Sequence, residues 1–392
     1  MPKKKLCLVC ASYGYHFSDG AEQLAAAYAR LLAPCYDVSI LTTTTHFAHQ
    51  SENSFMPGDY MWEGIPVYRC YVQEAKQDRA ALYADVLQNP YHDMKAAALF
   101  LRAVGPYSPD LLQYLIDYRS KYDAFLFFGW RHYHATGGLP LVAGKSVLIP
   151  CADADELLMK CNYFRYLLHM PRAIVYQSEE EREWVQGYFH NKKVKSSVVG
   201  YGAPQETPPP LSPKTCYKYA LNAPYIVGHV YGEEDCAALL AHFSVHKQQC
   251  PVALKLLLLG GACADIPFTA DVTYAGRIEE TGEVLAGARA FVSAFGAARQ
   301  DNMAIDAMQA GTPLLLCARS PFYKRLASES GAGLTFETAE EFRGALNKIL
   351  LEKDAADSFS ANGRAYAREN NDWARSLPEI RKLLDGVCGK TL

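Results

Sequence analysis

The chain has 392 residues, 50% of them apolar and 21% charged, with a formal net charge of −3. A chain this long is expected to split into two domains rather than fill one core. The composition is that of a globular protein, and the charge balance gives no reason to expect nucleic acid as a partner.

The first residues, "MPKKKLCLVCASYGYHF", set a basic flank before an apolar run, as a signal peptide does. The run is short, it meets Tyr13, Tyr15 and His16, and no small-residue cleavage site follows. Lys3, Lys4 and Lys5 read as solvated lysines ahead of a first strand, with a peripheral membrane contact as the alternative. No segment reaches the roughly 18 apolar residues of a transmembrane helix, so a cytoplasmic location is expected. Cys7 and Cys10 form a C-x-x-C inside an apolar strand, which sends them to opposite faces. With no second ligand pair at zinc spacing, the cysteines read mostly as small buried hydrophobes.

Strand and helix signals then alternate. "KLCLVCAS" reads as a strand, "DGAEQLAAAYARLLA" as a helix with one apolar face, and "YDVSILTTT" as a second strand. A less regular stretch follows before "YDAFLFFGW", "KSVLIPCA" and "AIVYQS", which read as buried strands. Ser178 with Glu181 has the spacing of a capping box, so the acidic run there starts a helix rather than binding a metal. "GYGAPQETPPPLSP" interrupts the alternation; its prolines predict a stiff, non-helical linker over residues 204–213. The pattern restarts with "YIVGHV", "ALKLLLLGG", "VTYAG", "AFVSAF" and "TPLLLCA", and residues 366–392 form a helical tail that could cross back to the first domain. Continuous apolar strands between helices mean parallel sheets covered on both faces. The expected fold class is therefore α/β, with two Rossmann-like β/α/β domains over residues 1–203 and 214–365. Ligands of such sheets bind beyond the carboxyl ends of the strands, and two such edges can face a cleft.

This order of elements resembles a GT-B glycosyltransferase, and several segments are similar to family 4, the retaining nucleotide-sugar enzymes. They are "SDGAEQLAAAYARLL", "VVGYGAP", the set "YIVGHV", "LKLLLLGG" and "VTYAGRI", and "IDAMQAGTPLL" within the stretch "SAFGAARQDNMAIDAMQAGTPLLL". The resemblance covers nearly the whole chain and makes the first domain acceptor-side and the second the donor domain. It aligns the second acid of the family's E-x7-E motif with Asp306 and the first with Ala298, so the first carboxylate is missing. The family's phosphate-neutralising Arg and Lys align with His229 and with Glu233 or Glu234. A family histidine after "KSVLIP" aligns with Asp153.

Asp306 and Asp153 are accordingly the candidate catalytic residues, Asp306 with the role of holding the donor ribose. Asp301 or Asn302, as an N-cap, would present the amides of Met303 and Ala304 to a pyrophosphate at a helix start. Arg299 is the nearest replacement for the lost positive charge; Arg277, after Gly276, is a second, and Lys324 or Arg325 a third. Gly20, with Gly14 beside it, offers close backbone approach to the donor. If "GWRHYHATGG" stays extended, His132 and His134 point the same way, as acceptor contacts, plain surface histidines or, with no third ligand evident, a metal pair. Asp155 joins the acceptor side; "DADE" also resembles the metal motif of the GT-A fold, which two Rossmann halves argue against.

The resemblance implies transfer of a sugar from a nucleotide donor to a glycan or lipid-linked acceptor, with the nucleotide sugar as substrate and no metal cofactor. The alternative is a catalytically degenerate binding or scaffolding protein partnering an active glycosyltransferase. A sugar-nucleotide epimerase of the same architecture is a third reading.

Overall fold

The structure is a computed structural model that describes residues 2–14, 20–46, 52–74, 79–89, 91–152, 158, 160–202, 206–250, 252–261, 266, 269–297 and 300–388. The chain divides into two compact units, Met1–Gly200 with Ala374–Leu392, and Tyr201–Trp373.

The first unit is built on strands β1 (Lys5–Val9), β2 (Asp37–Thr43), β3 (Gly58–Trp62), β4 (Ile65–Cys70), β5 (Ala124–Phe128), β6 (Ser146–Ile149), β7 (Ala173–Tyr176) and β8 (Lys195–Val198). Their order in the sheet is β3-β4-β2-β1-β5-β6-β7-β8. Strands β5, β6 and β7 are buried along their whole length, the outcome of covering both faces of a parallel sheet with helices. The Gly20–Leu32 helix sets Leu24, Ala25, Tyr28 and Leu32 inward, and Tyr28 meets Phe128 edge-on with ring centroids 5.4 Å apart.

The irregular middle of the sequence hides a hairpin. Strand β3 runs antiparallel to β4, joined through Glu63 (φ 49°) and Gly64 (φ 79°), two consecutive left-handed residues of the kind a tight hairpin turn requires. Because β3 is a largely exposed edge strand, its composition gives no apolar alternation to read.

The second unit holds β9 (Tyr225–Val230), β10 (Lys255–Gly260), β11 (Val272–Gly276), β12 (Phe291–Ser293), β13 (Leu314–Cys317) and β14 (Gly333–Phe336). They form one sheet in the order β11-β10-β9-β12-β13-β14. Every pairing in it is parallel. Its core joins Ile226, Val227, Leu256, Leu258, Phe291, Val292, Leu315 and Met308.

Two sequence expectations need revision. Within the stretch read as a linker, Pro213 opens the Pro213–Lys218 helix, capped by Ser212; proline suits the first helical position, where its missing N–H is no loss. Ser212 N also donates to Glu283 at 3.1 Å, so this end of the stretch packs on the second unit. Ser178 does cap its helix, but Glu181 does not complete the box: its carboxylate accepts from Gln177 N and Ala152 N instead. The last helix, Trp373–Cys388, has Ser197 bonded to Glu379 at 2.9 Å and Lys4 to Asp385 at 3.0 Å, and Ala374 onward groups with the first unit.

Gly260 ends β10 at φ +114°, where a Cβ would lie 2.1 Å from the carbonyl oxygen of Val230. Neither backbone can give, since β9 and β10 are paired there. Gly260→Ala is expected to lose more than ~2 kcal/mol of stability, measured by the urea midpoint.

Candidate functional site

The carboxyl ends of β9, β12 and β13 gather the groups of the second unit that carry chemistry. Asp301 stands outside the Asn302–Ala310 helix in extended backbone, and Gly311 closes that helix in the left-handed conformation. One oxygen of Asp301, Oδ1, accepts from Met303 N at 3.0 Å and Ala304 N at 3.3 Å. The other, Oδ2, accepts from the Tyr323 hydroxyl and lies 3.1 Å from Nδ1 of His229. Tyr323 is delivered by the Pro321–Ser330 helix, whose cap Ser320 accepts from Tyr323 N and donates to Ala297 O. His229 comes from β9, in register with Ser293 of β12.

Asp301 is fully buried. Burial works against its charge, but the His229 imidazole, the Tyr323 hydroxyl and the Ala304 amide outweigh it and hold the carboxyl down at about 2. Asp306 is opposite in character. Burial pushes its carboxyl up to about 7; a hydrogen bond from Tyr201 and the His229 ring work against this, and the charge of Asp301 adds to it. Tyr201 donates to Oδ2 across a long 3.5 Å, while Oδ1 is out of reach of solvent and has no hydrogen-bond partner among the described residues. Two neighbouring carboxyls thus differ by environment alone, one fixed as an anion and one poised near neutrality.

The cap consumes what was expected to be on offer. The amides of Met303 and Ala304 are held by Asp301 itself, so they are not presented to a ligand; the helix start retains Asn302 and the dipole. His229 is committed to Asp301. Glu233 and Glu234 are exposed at the start of the Glu233–Gln249 helix, where Asp235 takes the amides of Tyr231 and Gly232. That helix start is acidic and closed by its own carboxylate. Lys324 pairs with Glu337 and Arg325 with Glu329 in solvent-facing contacts. Gly276 closes β11 at φ +61° and Arg277 follows, exposed. In the sheet one strand, β10, separates β11 from β9, which carries His229 of the Asp301 cluster. Arg299 and Ala298 lie outside the described residues.

In the first unit, Asp153 and Asp155 lie outside the described residues. Gly20 begins its helix with nothing within 4 Å of a Cβ, so the fold itself does not demand glycine there; at Gly14 a Cβ would sit 2.9 Å from Phe55. The segment expected to be extended around His132 is instead a helix, Tyr133–Gly138, with His132 at its N-cap position. His134 turns inward rather than to the surface: it is 1% exposed and its Nε2 contacts the Phe128 carbonyl at 2.8 Å. Burial, with His132 adding, lowers its imidazole to about 3, so it is neutral and committed to the end of β5. Among the described residues no group of three metal-ligating side chains occurs, and no helix is long and apolar enough to cross a membrane.

Sequence reasoning missed Tyr323 and Tyr201, the two phenols on the paired acids. The only signal for Tyr323 was its place in "SPFYKRL", a Ser-Pro helix start directly after a strand.

Removing Asp301 leaves two amides, an imidazole and a phenol without their acceptor, so Asp301→Ala should cost about 2–4 kcal/mol. Because its folded pKa is depressed, its stabilisation is present above about pH 4 and is lost as pH falls towards 2. Asp306 has the reverse sign: with its folded pKa raised to about 7, the native state loses stability as pH rises from about 4 to about 7, and the loss is complete above that. Asp306→Asn should therefore gain on the wild type by about 2 kcal/mol between about pH 5 and pH 8 in paired urea titrations. A constant difference over that interval contradicts the assignment.

No protein-family model matches the chain, and no curated protein sequence matches it. Among solved structures it is similar to sucrose-phosphate synthase from Thermosynechococcus elongatus, at 15% identity and a TM-score of 0.70, over 99% of this chain and 100% of that one. It is similar to HepE from Anabaena, determined in complex with UDP-glucose, at 13% identity and a TM-score of 0.68, over 97% and 99% of the two chains. A UDP-forming trehalose-phosphate synthase from Burkholderia vietnamiensis matches at 10% identity and a TM-score of 0.69, over 98% and 99%. At these identities the likeness establishes the fold, which is GT-B.

Proposed function

We propose that the protein is a nucleotide-sugar-dependent glycosyltransferase whose donor site lies at the carboxyl edge of the second unit's sheet. The observation that carries this reading is the unpaired, buried Oδ1 of Asp306 beside the Asp301 cap. A buried carboxyl oxygen with no partner is costly unless a ligand completes it. A ribose diol supplies two hydroxyl donors of the right kind, and the HepE complex with UDP-glucose makes uridine nucleotides the first to test.

In this reading Asp306 accepts from the ribose hydroxyls, and Asp301, fixed by His229 and Tyr323, holds the helix start that faces the diphosphate. As the sugar–phosphate bond breaks, negative charge grows on the departing diphosphate, and the helix dipole with Arg299 answers it. The reaction uses no metal, retains configuration and delivers the sugar to a glycan or lipid-linked acceptor. Ala298 in place of an acid and Glu233 in place of a cation imply slow turnover.

A second reading, a binding or scaffolding protein that has lost catalysis and partners an active glycosyltransferase, is favoured by one observation. Both amides at the helix start are occupied by Asp301, and the neighbouring helix begins with Glu233, Glu234 and Asp235.

Calorimetric titration with UDP, GDP, ADP and CDP separates the two. The enzyme reading expects micromolar binding of one nucleotide, weakened at least ~10-fold (about 1.4 kcal/mol) in Asp306→Ala. Binding should strengthen from about pH 6 to pH 8, as Asp306 ionises, and release a proton near pH 7. Absence of binding to every nucleotide favours the scaffold.

A further inference from the structure

Among the described residues, one buried cation of the first unit has no counter-ion. Arg69 lies near the carboxyl end of β4, in register with Thr42 of β2, and is 8% exposed. Its guanidinium carbon sits 4.4 Å from the centroid of the Phe55 ring and 5.8 Å from that of Tyr60. Phe55 in turn packs against Gly14, where a Cβ would come within 2.9 Å of the ring. The titratable groups that act on its charge are Cys10, Tyr60 and Tyr13, a thiol and two phenols. Burial pushes the Cys10 thiol far up, so it supplies no negative charge. Among the described residues no carboxylate pairs with Arg69, and its Nη1 is buried without any hydrogen-bond partner.

This arrangement has a physical cost that the chain's own groups do not offset. A guanidinium presents five donors, and leaving it buried and unpaired is costly. Stacking on an aromatic ring compensates part of the desolvation but satisfies no N–H. The ring lies against the guanidinium and leaves its N–H donors, the buried Nη1 among them, for an acceptor. The chain reaches the same sheet edge at Ser12, Thr43 and Thr44, where ligands of parallel sheets bind. The hydroxyls of Ser12 and Thr43 are turned to His46 O and Ala11 O, which braces the loops around Arg69 rather than filling its fork.

We propose that Arg69 is the anchor of an oxyanion-binding site in the first unit, which takes the phosphate or carboxylate of a small molecule in a bidentate grip. Phe55 and Tyr60 flank the guanidinium, and the ligand's anionic group becomes its missing counter-ion. Every residue involved belongs to the first unit, so the site stands or falls separately from the donor reading.

The test is thermal unfolding and calorimetry of the full chain with inorganic phosphate and with malonate, at constant ionic strength set by chloride. Wild-type protein should bind one or both. Arg69→Met, which removes the charge but keeps bulk, should weaken that binding at least ~10-fold while its melting temperature in chloride stays equal or rises, since an unpaired buried charge is gone. Arg69→Lys keeps the charge and loses the fork, and should fall between the two; it carries the same reading if the Met variant does not fold. Comparison of a sugar phosphate, a uronic acid and a neutral sugar then assigns the anion to phosphate or carboxylate. Asp306→Ala should leave the phosphate response intact. The proposal is overturned if neither anion binds the wild type, or if Arg69→Met responds as the wild type does.

Discussion

One buried carboxylate organises the second unit's functional edge. Asp301 accepts from two amides of its own helix with one oxygen and meets a histidine and a tyrosine with the other. Those four partners come from the Asn302–Ala310 helix, from β9 and from the helix after β13. A charge in that position is tolerated only because every partner is present, and each partner is oriented only because the charge is there. The start of the Asn302–Ala310 helix therefore has one orientation relative to the sheet. Asp306, one turn further on, is placed by the same constraint. The charge of Asp301 also helps to keep Asp306 near neutrality, so the two acids are distinguished by a single fixed anion.

The first unit contains the opposite case. Arg69 is buried like Asp301 but lacks the ring of partners that Asp301 has, and the aromatic contacts around it supply no acceptor. Buried polar groups in folded proteins are almost always satisfied. A satisfied buried anion in one unit reads as architecture, and an unsatisfied buried cation in the other reads as a place for a ligand.

Much of the fold was legible because both sheets are parallel and covered. Runs such as "AIVY" and "LLLC" can hardly be anything but buried strands, and the alternation with amphipathic helices gave the order of elements. The exceptions have physical causes. Strand β3 is an exposed edge, so no burial pattern marks it, and β14, "GLTF", is a partly exposed edge strand without a continuous apolar run. An extended run would have pointed His132 and His134 the same way, yet a helix begins directly after His132 and turns His134, inside it, to the carbonyl of Phe128. At the site, Asp301 was legible as a cap because Asp followed by an amphipathic run is a local signal. Its other partners were not, since His229 is 72 positions away and Tyr323 is 22. Asp306 was found only by motif spacing, and its raised pKa follows from tertiary burial. Nothing in the sequence singles out Arg69; its isolation exists only once the β3–β4 hairpin has folded.

The most direct test of the donor reading is a crystal structure of the protein with UDP. Ribose hydroxyls are expected within about 3 Å of Asp306 Oδ1, with the Asp301 contacts to His229 and Tyr323 intact. UDP bound elsewhere, or bound with Oδ1 of Asp306 still unpaired, contradicts that reading.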